Sequence, residues 1–384
     1  MQTQEIIIVG GGPVGAVLAL ALQQQGIAFT VLEARSKGAS YQDKRALALS
    51  YGSRLILEKL GVWDVVAVEA TAINTIHISQ RSGLGRTKLN ASEHNLPALG
   101  YVLSYGALTA AIDKFLDTEK VLYEAEAIEI KPGGIAAEVT YSQSGRTVML
   151  NSPLVVVADG GRSLSGIEGV QRETKEYGHD ALVSKVQAEL PHHNIAYERF
   201  TPQGPMALLP NGTRDFSLVW TGEKTSVEKL STLDDATFLA QLHIAFGDRV
   251  GKFLSVEKRM TFPLKLSILK PAVAPHLVVI GNAAQTMHPV AGQGFNVGLR
   301  DAWTLADLIL DTPQYALGNP EMLENYNQKR KRDKCGGIMF TDLLVNMFTN
   351  DWIGLSSLRG VGLGALELLK PAKTFLVDKM SFGK

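Results

Sequence analysis

The strongest restriction on the fold of this chain is its opening run, "EIIIVGGGPVGAVLALALQQQGIAFTVLEAR". Ile6 to Val9 form a short β-branched stretch with no polar alternation, as a strand buried on both faces requires. Gly10, Gly12 and Gly15 follow in G-x-G-x-x-G spacing, then a helical tract to about Gln25. A second strand is expected over Ala28 to Leu32, with Glu33 at its end. A lone G-x-G-x-x-G says little. Strand, glycines, helix, second strand and terminal acid in this order predict a dinucleotide-binding βαβ unit. Gly10 permits the tight turn, Gly12 lets backbone N–H groups approach a pyrophosphate, and Gly15 lets the helix lie close to the strand. The helix N-terminus faces the phosphates, and Glu33 can accept from a ribose hydroxyl.

Two more apolar strands run into ligand-type loops. "LVVVADGGRS" ends at Asp159-Gly160, and "LVVIGNAAQTMHPVAGQGFN" leaves its strand at Gly281-Asn282, with a helix expected from about Asn296 to Leu310. Ligands of open parallel sheets gather at the carboxyl ends of the strands, so three such loops can converge on one long dinucleotide. A large, tightly held cofactor is therefore expected. Asn282 is a neutral amide where ligand-holding loops often carry an acid.

Between these motifs, a polar loop ending at Arg45 leads into a helix over Tyr51 to Leu60, and residues 73–80 alternate like a strand. Residues 121–157 read as strands separated by "KPGG" and "SQSG" turns. Residues 179–262 change character, with antiparallel-type strands and one helix over 234–246. The fold class is α/β: a Rossmann-type domain from residues 1–72, 101–178 and 263–334, an interleaved antiparallel-sheet substrate domain from 73–100 and 179–262, and a C-terminal helical region over 335–384.

Composition excludes several classes. Thirty-eight basic residues balance 38 acidic ones, so no global field draws in nucleic acid. The one cysteine, Cys335, cannot close an internal disulfide, as suits a reducing compartment. No basic segment precedes the apolar residues 5–12 and no cleavage site follows, which argues against a signal peptide. No uninterrupted apolar run is long enough to span a bilayer. Residues 338–348 and 352–368 read as amphipathic helices, packed on the body or lying on a surface.

Other constellations fail. "GRSLS" lacks the last glycine of a nucleophile elbow. His192 and His193 are adjacent and point apart on a strand, so no metal site is expected. "RGVGLG" has no strand before it and is not a second dinucleotide site.

Together, "GGGPVG" with Glu33, "ADGGRS" and "IGNAAQTMHPVAGQGFN" resemble the three motifs of the FAD-dependent aromatic hydroxylases, over nearly the whole chain. Within that family, "HPVAGQGFNVGLRD" and "ERFTPQGPMALLP" are similar to the ubiquinone-biosynthesis hydroxylases, nearest the branch acting on 2-octaprenyl-6-methoxyphenol, which also shows Asn in place of Asp at Asn282. The resemblance implies a p-hydroxybenzoate hydroxylase-like fold, bound FAD, NAD(P)H as transient donor and O2 as co-substrate. It implies hydroxylation of a polyprenyl phenol through a flavin C4a-hydroperoxide, and places the flavin ring beside Pro289 to Gly294. FAD contacts are expected from Gly10, Gly12, Gly15, Glu33, Arg45, Asp159, Gly281, Asn282, Gly292, Gly294 and Asn296. His288, Pro289, Gly292 and Gln293 form the expected flavin-ring loop, with His288 either shuttling a proton or fixing the loop, and Gln293 bonding the ring or the backbone. Tyr197 and Arg199 either meet the phenol or form an ordinary strand face. Gly166 stands where many relatives carry arginine. An apolar substrate implies a cytoplasmic protein in peripheral contact with the inner face of a membrane, or a ubiquinone-biosynthesis complex. A hydroxylase of soluble phenols and a non-hydroxylating FAD-binding assembly protein share the same cofactor motifs.

Overall fold

The computed structural model describes residues 2–3, 5–81, 85–201, 204–286, 293–331, 333 and 367–383. The opening motif forms as its pattern requires. Ile6–Val9 is a fully buried strand, Pro13–Gln24 is the helix, and Thr30–Glu33 is the second strand, with Glu33 as its last residue. Proline occupies the first turn of the helix, where its missing N–H costs no intrahelical bond.

These strands lie in a six-stranded sheet with the order Val273–Ala274, Leu277–Val279, Leu154–Val157, Ile6–Val9, Thr30–Glu33, Val121–Tyr123. All neighbours are parallel except the short Val273–Ala274 edge. The three strands that carry the ligand-type loops are therefore adjacent. They also end level, since Val157 registers with Val9 on one side and Val279 on the other. Side chains from both faces of this sheet fill two large apolar clusters.

A second, larger sheet has the order Gln285–Thr286, Met260–Lys270, Gln171–Ala188, Asp215–Glu223, Gly204–Pro210, Ile195–Thr201, Thr75–Gln80, Arg86–Asn90. One face is covered by helices Lys224–Thr232 and Asp235–Phe246 over an aromatic-rich core. Gln171–Ala188 and Met260–Lys270 are continuous strands, so the expected domain limits at 178/179 and 262/263 each fall inside one. Soon after leaving its own strand, the Asn282 loop joins this sheet, pairing Gln285 with Ile268 and Thr286 with Ser267. This loop thus links the cofactor sheet to the larger one, as do residues 158–170 and 271–272.

Ala46–Ser50, Gly100–Ser104 and Thr71–Ile73 form a small sheet beside that junction. Helix Tyr51–Lys59 follows directly, capped by the Ser50 hydroxyl. The last described helix, Lys370–Phe382, packs against it through Phe382 and Tyr51. Residues 338–348 and 352–366, read as amphipathic from sequence, lie outside the described residues. No helix among the described residues is long and apolar enough to cross a membrane.

Candidate cofactor and substrate site

Above the level strand ends lies a cavity of 250 Å³, lined by Gly10, Gly12, Glu33, Arg45, Asp159 and Asn282 among others. Sequence places these residues far apart; the parallel sheet brings them together. Gly10 has φ +105°, and a Cβ there would stand 2.6 Å from the Asp159 backbone nitrogen. A Cβ on Gly15 would stand 2.0 Å from the Gly10 carbonyl oxygen, so the close helix–strand approach needs glycine. Gly12 differs: an added Cβ would meet only the Tyr105 hydroxyl, at 3.4 Å. The space over Gly12 is the cavity itself.

The Glu33 carboxylate accepts from Gly11 N at 2.8 Å and from Arg35 N and Nε at 2.9 and 2.7 Å. Burial pushes its pKa up, but the Arg35 and Gly11 bonds outweigh that and hold it below the usual carboxylate value. Glu33 is thus an anion with its acceptor oxygens set at the cavity wall. Arg35 lines the same cavity and was not singled out from sequence; an arginine two residues after a strand-terminal acid is the signal that could have found it. Asp159 turns its carboxylate into its own loop, Oδ1 accepting from Gly161 N and Oδ2 from Ser163 N, both at 2.8 Å. It shapes the cavity wall as much as it faces it. Arg45 pairs with Asp43 at 2.6 Å and lies over the Tyr105 ring, 4.9 Å from its centroid.

The third strand end is held from behind. Gly281, at φ +62°, donates its N–H to Asp301 Oδ2 at 3.1 Å. A Cβ on Gly281 would meet Val14 at 3.1 Å, and one on Gly298 would meet Val14 at 3.0 Å and the Gly281 Cα at 3.1 Å. Gly298, Asp301 and Val14, none of them predicted as site residues, therefore lock helix Gln293–Asp311 against the glycine-rich helix. Asn282 follows Gly281, is exposed, and lines both this cavity and the next. Gly294 lines the second cavity, with nothing within 4 Å of an added Cβ.

Asn296 lines the second cavity, and its side chain is held by protein partners. It is 2% exposed; Oδ1 accepts from Ser50 N and Ser53 Oγ at 2.8 and 2.7 Å, and Nδ2 donates to Ala48 O at 2.9 Å. The amide fastens the Ala46–Ser50 segment to the helix start. His288, Pro289 and Gly292 lie outside the described residues, and Gln293 opens the helix without a described side chain.

The second cavity, 310 Å³, shares Asn282 and Phe295 with the first. Leu47, Leu49, Ile73, Leu99, Val377 and Met380 give it an apolar wall, the last two from helix Lys370–Phe382. One ionisable side chain lines it among the described residues, Glu198. Burial pushes this carboxyl up to about 8. Tyr197 and Arg199, the strand neighbours considered from sequence, do not line it. Tyr197 packs edge-on to Phe246, with centroids 5.3 Å apart, and Arg199 donates to Ala245 O and Ser79 Oγ, both at 3.3 Å. Successive side chains of a strand alternate faces, so Glu198 is the one that reaches the cavity.

Among the described residues, no group of three or more His, Cys, Asp or Glu is placed to hold a metal ion. The cavity residues suit a dinucleotide: an open glycine edge at a helix N-terminus and a strand-terminal carboxylate, with an apolar chamber adjoining at Asn282.

Known proteins agree with this reading. The family described as "FAD binding domain" matches residues 3–334. Ubiquinone hydroxylase UbiL of Rhodospirillum rubrum is 33% identical over 97% of this chain and 88% of its own. The 3-demethoxyubiquinol 3-hydroxylase of Escherichia coli is 31% identical over 95% of each chain. In fold, p-nitrophenol 4-monooxygenase PnpA of Pseudomonas putida superposes with a TM-score of 0.79 over 99% of both chains at 16% identity. Klebsiella pneumoniae HpxO, solved with FAD, gives 0.75 over 98% of both at 15% identity. Fold, cavity and relatives converge: the chain belongs to the FAD-binding domain family, as a flavoprotein monooxygenase of its ubiquinone-biosynthesis hydroxylase branch.

Proposed function

We propose that this flavoprotein uses NAD(P)H and O2 to hydroxylate the aromatic ring of a polyprenylated phenol, of the 2-polyprenyl-6-methoxyphenol type, in ubiquinone biosynthesis. The observation that carries this reading is the apolar chamber that adjoins the FAD cavity and shares Asn282 and Phe295 with it as wall residues. When bound, FAD would take electrons from the nicotinamide donor and activate O2, one atom of which goes to the ring. The chain's own residues do the rest. Gly12 opens backbone to the pyrophosphate, Glu33 accepts from the ribose, and Asn282 holds the cofactor where the two cavities meet. The Ala46–Ser50 segment, fixed by Asn296, walls the chamber and excludes water from the ring.

The apolar wall suits a prenyl substituent better than a carboxylated small phenol, which would bring an unpaired charge beside Leu47, Leu49 and Met380. Helix Lys370–Phe382 walls the chamber, and Leu368, Leu369 and Phe375 at this end of the chain are exposed. These apolar side chains, with Lys370 beside them, support contact with a membrane surface or a ubiquinone-biosynthesis complex, and a peripheral cytoplasmic location.

Oxidation of NADPH and of NADH is to be measured with a polyprenyl phenol and with small hydroxybenzoates, identifying products. The expected result is a hydroxylated prenyl phenol. Hydroxylation of the small acids alone would assign a soluble phenol instead, and cofactor binding without turnover on any donor would mark an assembly protein.

Asn282 gives a finer test. An amide keeps an acceptor oxygen and adds two donors, whereas an aspartate forms a charge-assisted bond about twice as strong. Asn282→Asp is expected to retain FAD, and Asn282→Leu to lose about 1–3 kcal/mol of FAD affinity through an unsatisfied polar contact. A flavin titration giving Asn282→Leu the wild-type affinity would remove Asn282 from the cofactor contacts.

A further inference from the structure

The pleat of strand Ile195–Thr201 sorts its residues between two environments. Tyr197 enters the helix-covered aromatic core, while Ala196 and Glu198 line the apolar chamber. Cross-strand partners extend this chamber face: Glu198 registers with Ala207, Ala207 with Val219, and Val219 with Val183. Alanine directly opposite Glu198 leaves space over the carboxyl. Among the described residues no hydrogen bond or ion pair occupies that carboxyl, and burial is the one influence on its proton affinity. A carboxyl group placed among apolar residues with no structural partner weakens the fold, which points to a ligand as its partner.

The surrounding charges are turned elsewhere. On the same strand, Arg199 reaches Ser79 and Ala245 behind the sheet, and His77 of the neighbouring strand packs against Tyr197 there. Arg45, at the start of the Ala46–Ser50 wall, pairs with Asp43. On helix Lys370–Phe382, Lys373 pairs with Glu367 at 3.0 Å, Lys379 donates to Gly383 O and Asp378 is exposed. From that helix Val377, Met380 and Ser381 line the chamber.

We propose that Glu198 is the catalytic base of this enzyme: the substrate's ring hydroxyl docks on its carboxylate in the apolar chamber and gives up its proton there. This rests on the phenol reading above. The phenolic O–H bond breaks, the carboxyl O–H bond forms, and no electrons leave the pair. The ring oxygen, now anionic, donates into the ring and makes its carbon more nucleophilic towards the oxygen donor. As the donor's O–O bond breaks, the ring carbon takes up the hydroxyl and gives its own proton to the oxygen left on the donor, while the Glu198 carboxyl returns its proton to the ring oxygen. A base near 8 is far better matched to a phenol than an ordinary glutamate would be.

The test uses FAD-loaded wild type, Glu198→Gln and Glu198→Asp. In wild type, kcat/KM for the phenol is expected to rise with pH until about 8. E198Q is expected to keep its FAD and to bind phenol, to lose about 10²-fold in kcat, and to lose that limb of the pH profile. E198D is expected to recover part of both. The second measurement needs no turnover: the phenol-to-phenolate titration of a chromogenic phenol bound to wild type should be displaced from, and broader than, that of the same phenol bound to E198Q, because the carboxyl titrates together with it. Stability supplies a folding control. Because the folded carboxyl sits at about 8 against an ordinary 4.5, the penalty of the glutamate grows as pH rises between those values. E198Q should therefore melt higher than wild type at pH 8 and show a smaller gain at pH 5. Equal ionisation of the bound phenol in wild type and E198Q, or wild-type rates and pH profile in E198Q, would overturn the proposal. If wild type hydroxylates only small phenols, the prenyl reading falls and Glu198 is judged on those phenols. If no phenol turns over, the bound-phenol spectrum still decides it.

Discussion

Gly12→Ala and Gly15→Ala should fail in different ways. In Gly12→Ala the apoprotein is expected to fold with wild-type stability, because the new methyl meets only the Tyr105 hydroxyl at 3.4 Å and the backbone there, φ −64° and ψ 171°, accepts any residue. That methyl projects into the space a pyrophosphate must approach. Overpacking of this kind costs about 1–3 kcal/mol, which predicts roughly a 10- to 100-fold loss of FAD affinity. In Gly15→Ala the methyl lands 2.0 Å from the Gly10 carbonyl oxygen. The glycine-rich helix must then move off the strand even without cofactor, so urea unfolding of the apoprotein is expected at clearly lower denaturant, and FAD is lost with it. Measuring apoprotein unfolding and FAD titration on both variants separates the two roles. Unchanged FAD affinity in Gly12→Ala would remove the phosphates from this edge. Wild-type stability in Gly15→Ala would mean that the helix–strand contact yields easily.

The cofactor half was readable in the sequence because each of its elements is local. A β-branched run, three glycines at fixed spacing and an acid at the next strand end all act within about thirty residues, and the residue types state their own reasons. The convergence of the Asp159 and Asn282 loops could also be anticipated, since ligands of parallel sheets gather at one edge. The level register of Val9, Val157 and Val279 realises it. Asn296 shows where this reading stops. Its residue type suits a cofactor contact, but its partners are Ser50, Ser53 and Ala48, more than 240 positions away, and only the fold reveals that they occupy its amide.

The substrate half was less legible for a different reason. Strand Ile195–Thr201 mixes buried and half-buried residues on both faces, so its sequence carries no apolar–polar alternation to show which side meets a ligand. Tyr197 and Arg199 attract notice as phenol-type contacts, yet they belong to the helix-covered side. Glu198, between them, has the chamber. A shift of one residue in register reverses that choice. Only the pairing with Gly204–Pro210, and from there to Asp215–Glu223, decides it.

Asp301→Ala is expected to damage fold and cofactor binding together, because this one carboxylate joins them. Asp301 is fully buried; Oδ2 accepts from Gly281 N at 3.1 Å and Oδ1 from Arg330 Nε at 2.7 Å. Arg330 also donates to Asp333 at 2.6 Å, and Asp333 is bound in turn by Arg300 at 2.7 Å. Burial pushes Asp333 up, but Arg300 and Arg330 outweigh it and keep it ionised below the usual carboxylate range. Removing Asp301 leaves Arg330 with one carboxylate partner and strips the Gly281 N–H of its acceptor. Breaking a buried pair costs about 3–5 kcal/mol, and the partner that remains puts this case near about 3 kcal/mol. Asp301→Asn keeps the shape but not the charge. Its amide can accept from only one of its two donors, so it should recover part of the stability and not all of it. The Gly281 turn carries Asn282 at the meeting of the two cavities, so its loosening should weaken FAD binding as well. Urea unfolding of the apoprotein measures the first effect and flavin titration the second. Full stability in Asp301→Ala would show that Asp333 alone satisfies Arg330. A stability loss with unchanged FAD affinity would show that the Gly281 turn is held by its φ +62° backbone and its contact with Val14 alone.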